Sequence, residues 1–190
     1  MSPEPRELSA EPRELSDAQA LRALAHPVRL ALLDALRARD ELTASAAAEL
    51  LGESPGNMSW HLGILARYGF VEETRTGTGR RRPWRLVDRT LRFSSAAPDA
   101  ETAAAGGALE GALITRAFDG LEAWRRRRAE APEWAEPSFL SHSIVALTPA
   151  ELAEVSAAID RVLQPYVDRA LAARPPGTVA VRVVSFGHPV

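Results

Sequence analysis

At 190 residues with no cysteine and a net charge of −2, the chain has room for two small domains and excludes a disulfide framework, thiolate metal ligands and a thiol redox switch. All 23 basic residues are arginine, and they are unevenly placed: Met1 to Glu53 has 6 Arg against 10 acids, Ser54 to Arg92 has 8 against 3, and the remainder has 9 against 12. A polyanion would dock on that basic middle, because neutralising phosphates requires local charge and not a basic pI. No stretch approaches the roughly 20 apolar residues of a membrane span, and the N-terminus lacks the apolar core of a signal peptide, so a cytoplasmic protein without membrane attachment is expected.

In chain order, residues 1–16 contain the repeat EPRELS twice, Glu4–Ser9 and Glu11–Ser16, and read as a disordered arm. A short helix is expected from the Ser16/Asp17 caps to Ala25. His26-Pro27 restarts the chain, with His26 as a cap and proline in the first turn, where its missing N–H is not needed. Leu30, Leu33 and Leu36 then make Pro27 to about Arg39 an amphipathic helix, and Arg29 is expected to pair with a carboxylate or a carbonyl. Thr43 can cap a third helix, Ala44 to Leu51, ended by Gly52. Ser54-Pro55 opens a fourth, which Gly69 closes as a left-handed C-cap with Phe70 folding back on the last turn.

A short helix, a tight turn and a second helix with one polar and one apolar face make a helix-turn-helix, whose second helix can enter the major groove. Met58, Leu62 and Leu65 form the inward face; Asn57, Trp60 and Arg67 lie on the other. Asn57 can pair with adenine, and Trp60 can meet a thymine methyl or the sugar backbone, or instead pack on a neighbouring helix. Ser54, Gly56 and Ser59 are small enough to admit the DNA backbone; His61, adjacent to the leucine face, joins this DNA-facing set or serves instead as a partly buried structural hydrogen bonder. Phe70 to Thr76 and Arg82 to Val87 read as strands around a turn that carries Arg80 and Arg81. With Arg82 these form the tip of a wing that would hold phosphates or enter the minor groove.

The stretches "LRALAHPVRLALLDALR", "SAAAELLGESPGNMSWHLGILARYGFVEE" and "GTGRRRPWRL" resemble the ArsR-type winged helix-turn-helix repressors of bacteria over Asp17 to Phe93. The resemblance implies a homodimer on a palindromic operator in double-stranded DNA, released by an effector. Where thiolate-using members of that family carry metal-binding cysteines this chain has Ala46, Ala47 and Ala48, and Leu109 to Glu130 contains no histidine for the alternative site. No cofactor or metal is therefore expected, and the effector would be a non-metal small molecule. The competing readings are a repressor with histidine and carboxylate metal ligands, or a winged helix that binds protein. No nucleophile elbow, metallohydrolase His-Glu pair, dinucleotide fingerprint or Walker loop is present, which argues against an enzyme.

The fold class expected is mainly α with small β: a winged helix-turn-helix domain over residues 17–93, a linker or frayed helix start over 94–108, and a dimerisation and sensing region over 109–190. In the last, Leu109, Leu113, Ala117, Leu121 and Trp124 give a long helix an apolar stripe suited to a dimer. Pro132 ends it. "HSIVALT" reads as a strand, Pro149 to about Ala173 as a helix and Val179 to Phe186 as a second strand, a small α/β unit. Phe118, Trp124, Trp134, Phe139 and Tyr166 are candidates to line an effector pocket.

Overall fold

The computed structural model describes residues 13–74, 82–87, 91–93, 96–169 and 175–190. The chain divides into two compact units, Met1–Ile114 with Gly177–Ala180, and Thr115–Pro176 with Val181–Val190.

The first unit is built on four helices whose ends follow local chemistry. Helix α1 (Ala18–Leu24) is capped by Asp17, whose carboxylate accepts the Gln19 and Ala20 N–H groups at 3.0 and 3.2 Å. Helix α2 (Pro27–Arg39) begins at His26, whose Nδ1 accepts the Val28 N–H. Helix α3 (Ala44–Leu51) is capped by the Thr43 hydroxyl and stopped by Gly52 at φ 69°, a left-handed conformation that costs glycine little. Helix α4 (Pro55–Arg67) starts at Ser54, which accepts the Asn57 N–H. Its end is closed by Gly69 at φ 71°, and the Phe70 N–H returns to the Leu65 carbonyl at 2.9 Å, so Phe70 is drawn into the core.

The core of this unit is leucine-rich. Leu21 and Leu24 of α1, Leu32, Leu33 and Leu36 of α2, Met58, Leu62 and Leu65 of α4, and Phe70 are each at most 2% exposed. Ala47 and Ala48 of α3 are also buried; their small side chains let α3 lie close to α4. A three-stranded antiparallel sheet closes one side, in the order β2 (Glu41–Leu42), β4 (Trp84–Leu86), β3 (Val71–Glu73). The expected wing hairpin is its β3–β4 pair, with Val71 opposite Leu86 and Glu73 opposite Trp84. Strand β2 adds Leu42 opposite Trp84; at two residues it is too short to show alternation in sequence.

Two expectations for this part of the chain need correction. The arm is not without structure to residue 16: β1 (Arg13–Leu15) pairs in parallel with β5 (Leu91–Phe93), and Leu15 is buried, so the second EPRELS copy ends in a strand. Of the two readings of 94–108, linker or frayed helix start, the structure follows the second and makes it firm, because α5 runs without interruption from Ala100 to Arg127. Asp99 caps it by accepting the Thr102 N–H at 2.8 Å, and that bond, with the Thr102 hydroxyl, holds the Asp99 carboxyl below its ordinary pKa. The small residues that suggested a loop instead allow close packing: Thr102, Ala105, Gly106 and Leu109 are buried in the first unit.

The second unit contains the C-terminal part of α5, a 3₁₀ turn (Arg128–Glu130), the short helix α6 (Pro132–Ala135) and α7 (Pro149–Arg169). Here the two expected strands are absent: among the described residues 136–148 and 175–190 no residue belongs to a sheet. The fold is accordingly mainly helical, with its three-stranded sheet in the first unit. No helix among the described residues is long and apolar enough to cross a membrane.

Candidate nucleic-acid interface

Helix α4 is held from behind and open in front. Met58, Leu62 and Leu65 are fully buried against α2 and α3, whereas Ser54, Gly56, Ser59 and Arg67 are exposed and Trp60 retains 60% of its surface. The 3.6-residue repeat allows one helix to do both. Proline at the first position has no N–H to leave unpaired and the Ser54 hydroxyl accepts that of Asn57, while the positive end of the helix dipole at Ser54–Asn57 stands on an exposed turn. Such an end favours a phosphate.

Asn57 is half-buried and already engaged: its Nδ2 donates to Glu53 Oε2 at 2.8 Å. Glu53 is absent from the residues that spacing alone singles out, although it precedes Asn57 by four positions. Reading adenine through both amide atoms requires Asn57 to leave this carboxylate, which also repels approaching phosphates. Glu53→Gln keeps an acceptor for Asn57 and removes the charge. It is expected to tighten duplex binding by about 0.5–1 kcal/mol at low salt, the gain shrinking as salt rises, in fluorescence anisotropy titrations. An unchanged affinity at low salt would show that Glu53 lies away from the phosphates.

His61 is displaced from the expected DNA-facing set. At 3% exposed it lies inside, because its position on the helix borders Leu62 and Leu65 and turns the ring toward α2. Its centroid is 4.8 Å from that of His26, and Trp60 meets it edge-on at the same distance. The His61 Nδ1 and the Arg29 Nε are buried without a hydrogen-bond partner, while Arg29 Nη2 donates to the Arg22 carbonyl at 3.3 Å. Arg29 thus takes a carbonyl. Burial, then the charges of His26 and Arg29, push His61 below the ordinary histidine pKa, with Glu53 acting weakly the other way; burial and Arg29 do the same to His26.

This cluster makes the fold acid-sensitive. A histidine whose pKa is lowered by folding binds fewer protons folded than unfolded, so stability falls as the pH drops below the unfolded value of 6.5. His26 adds a structural reason, since an Nδ1 that accepts the Val28 N–H cannot carry a proton. The unfolding free energy from urea titrations is expected to be level above pH 7. Between pH 6.5 and 5 it should decline, by at most about 1.4 kcal/mol per pH unit for each titrating histidine. A profile equally flat in the double variant His26→Asn/His61→Gln and in the native chain would remove this role.

On the wing, Arg80 and Arg81 lie outside the described residues. Arg82 is exposed at the start of the returning strand and pairs with Glu73 at 3.4 Å; Arg85 pairs with Glu72 at 2.7 Å directly across β3–β4. The Arg82 pair is open to solvent and weak enough to be exchanged for a phosphate. The five aromatics considered for an effector pocket all fall in the second unit: Trp124 and Trp134 are half-buried, while Phe118, Phe139 and Tyr166 are 55%, 80% and 60% exposed. Among the described residues no group of three or more histidine or carboxylate side chains is placed to hold a metal ion.

Comparison with known proteins agrees with this geometry. A family model described as a helix-turn-helix domain matches residues 24–74, from the end of α1 to just beyond β3. Two relatives, each named an uncharacterized HTH-type transcriptional regulator, come from Mycobacterium tuberculosis strains CDC 1551 / Oshkosh and ATCC 25618 / H37Rv. Each is 30% identical over 92 residues, covering 48% of this chain and 71% of the relative. Fold, exposed helix face and sequence likeness converge: the chain belongs to the helix-turn-helix transcriptional regulators.

Proposed function

We propose that this DNA-binding regulator is an ArsR-type winged helix-turn-helix repressor that acts as a homodimer on a palindromic operator and is released by a non-metal small molecule. The observation that carries the DNA reading is α4 itself, with Met58, Leu62 and Leu65 at 0–1% exposure behind and Trp60 at 60% in front. A helix that only served the core would not present a tryptophan to water beside a row of small polar residues. Ser54, Gly56, Asn57, Ser59, Trp60 and Arg67 form the groove-facing set, and Arg80, Arg81 and Arg82 of the wing hold the backbone. Cytoplasmic location follows from this role.

The homodimer is supported by the apolar stripe of α5, where Leu113, Ile114, Phe118 and Leu121 are 38–55% exposed in the single chain. Two copies are also what an inverted repeat needs, with recognition helices about 34 Å apart. Selection of bound fragments from a random duplex library, followed by titration of the winner against scrambled DNA, tests the reading. An inverted repeat with a specificity ratio of about a thousandfold or more is the expected outcome. Weak, salt-sensitive binding without enrichment, across a panel of candidate effectors, would favour a protein-binding winged helix instead.

A further inference from the structure

Among the described residues of the second unit not one is buried, although α7 carries Leu152, Val155, Ile159, Val162, Leu163 and Tyr166 at helical spacing. Ordering backbone costs roughly 1–2 kcal/mol per residue and is offset by apolar burial, so this unit as a lone chain lacks what would hold it.

The missing burial has a specific shape. Ile144-Val145-Ala146-Leu147 is apolar at every position, and Val181-Arg182-Val183-Val184-Ser185-Phe186 is rich in β-branched residues, with Val181 and Val183 on one alternating face and Val184 and Phe186 on the other, a strand-like pattern. In the single chain they are open, with Ile144 70%, Val145 65%, Val181 64% and Phe186 69% exposed. The second segment is nonetheless fixed in place. Arg182 Nη1 donates to the Arg116 carbonyl of α5 at 2.8 Å, and Gly187 lies so close to Leu152 of α7 that an added Cβ would stand 2.9 Å from it. The tail is thus held along two helices with its valines outward.

The size and charge of this surface point to its cover. Among its described residues the second unit leaves fifteen large apolar side chains 38–99% exposed, which together offer more than the ~800 Å² per partner of a standard interface. From Thr115 to Val190 the sequence has nine arginines and nine acids, so two copies of the unit meet without net repulsion, and no field selects a charged partner. We propose that a second copy of this chain completes the unit, Ile144–Leu147 and Val181–Phe186 pairing as strands with those segments of the partner across a two-fold axis. The inference rests on the homodimeric reading above and states where that dimer is made; a self-complementary surface of this kind closes at two subunits.

Amide hydrogen exchange of the full chain, together with sedimentation equilibrium across a range of concentrations, tests it. The expected result is a dimer in which the amides of 144–147 and 181–186 are slowed at least a hundredfold. In Val183→Pro, which removes a ladder N–H, the dimer Kd should rise at least tenfold while the thermal transition of the first unit is unchanged. A dimer whose amides in both segments exchange freely, or whose Kd is indifferent to Val183→Pro, overturns the strand pairing and leaves the homodimer standing. A monomer at every concentration, with or without operator DNA, overturns both.

Discussion

Leu62→Ala is expected to destabilise the first unit by about 2–5 kcal/mol, because it empties a site that is 1% exposed between α4 and the helices behind it. Against a total of roughly 5–15 kcal/mol for a typical domain, that is a large share of the stability. Urea unfolding followed by far-ultraviolet circular dichroism would show a lowered midpoint with an unchanged slope. Operator affinity should fall as well, since loosening the buried side of α4 releases the orientation of the outer side. A loss under about 1 kcal/mol would mean that this face of α4 is not anchored as the core contacts imply.

Trp60→Ala should do the reverse. Two positions away on the same helix but 60% exposed, Trp60 contributes little to folding, and its removal is expected to change stability by no more than about 0.5 kcal/mol. Specific DNA binding should weaken by about 1–3 kcal/mol, and Asn57→Ala should cost a similar amount with altered base preference at one position. Competitive titrations of operator against single-base variants read both quantities. If either variant keeps its affinity and its preference, the groove-facing side of α4 is not where Asn57 and Trp60 place it. The contrast between Leu62 and Trp60 separates damage to the scaffold from damage to recognition, which binding data on one variant would confuse.

What could be read directly from residues was most of the helix-turn-helix that is settled within a turn or two of chain. The ends of α2, α3 and α4 follow from Pro27, Thr43, Gly52, Ser54-Pro55 and Gly69, each acting on the backbone beside it. The buried face of α4 and the hairpin of the wing follow from periods of 3.6 and 2. Contacts distant in sequence had no such local signature. Leu15 is buried because Arg13–Leu15 meets Leu91–Phe93, and Thr102, Ala105 and Leu109 are buried because the first unit packs on that part of α5.

The sequence by itself determined the helix-turn-helix and its two faces, since capping, proline placement and apolar spacing are properties of neighbours along the chain. Only the tertiary structure decided which border residues fall on which side. His61 sits next to Trp60 in sequence, yet one 100° step of the helix turns it against His26 in the core and leaves Trp60 in water. It also decided that Glu53 holds Asn57, and that Ile144–Leu147 and Val181–Phe186, strand-like in composition, find no sheet within the described chain. Composition favours a strand, but a strand exists only when another backbone supplies its hydrogen bonds.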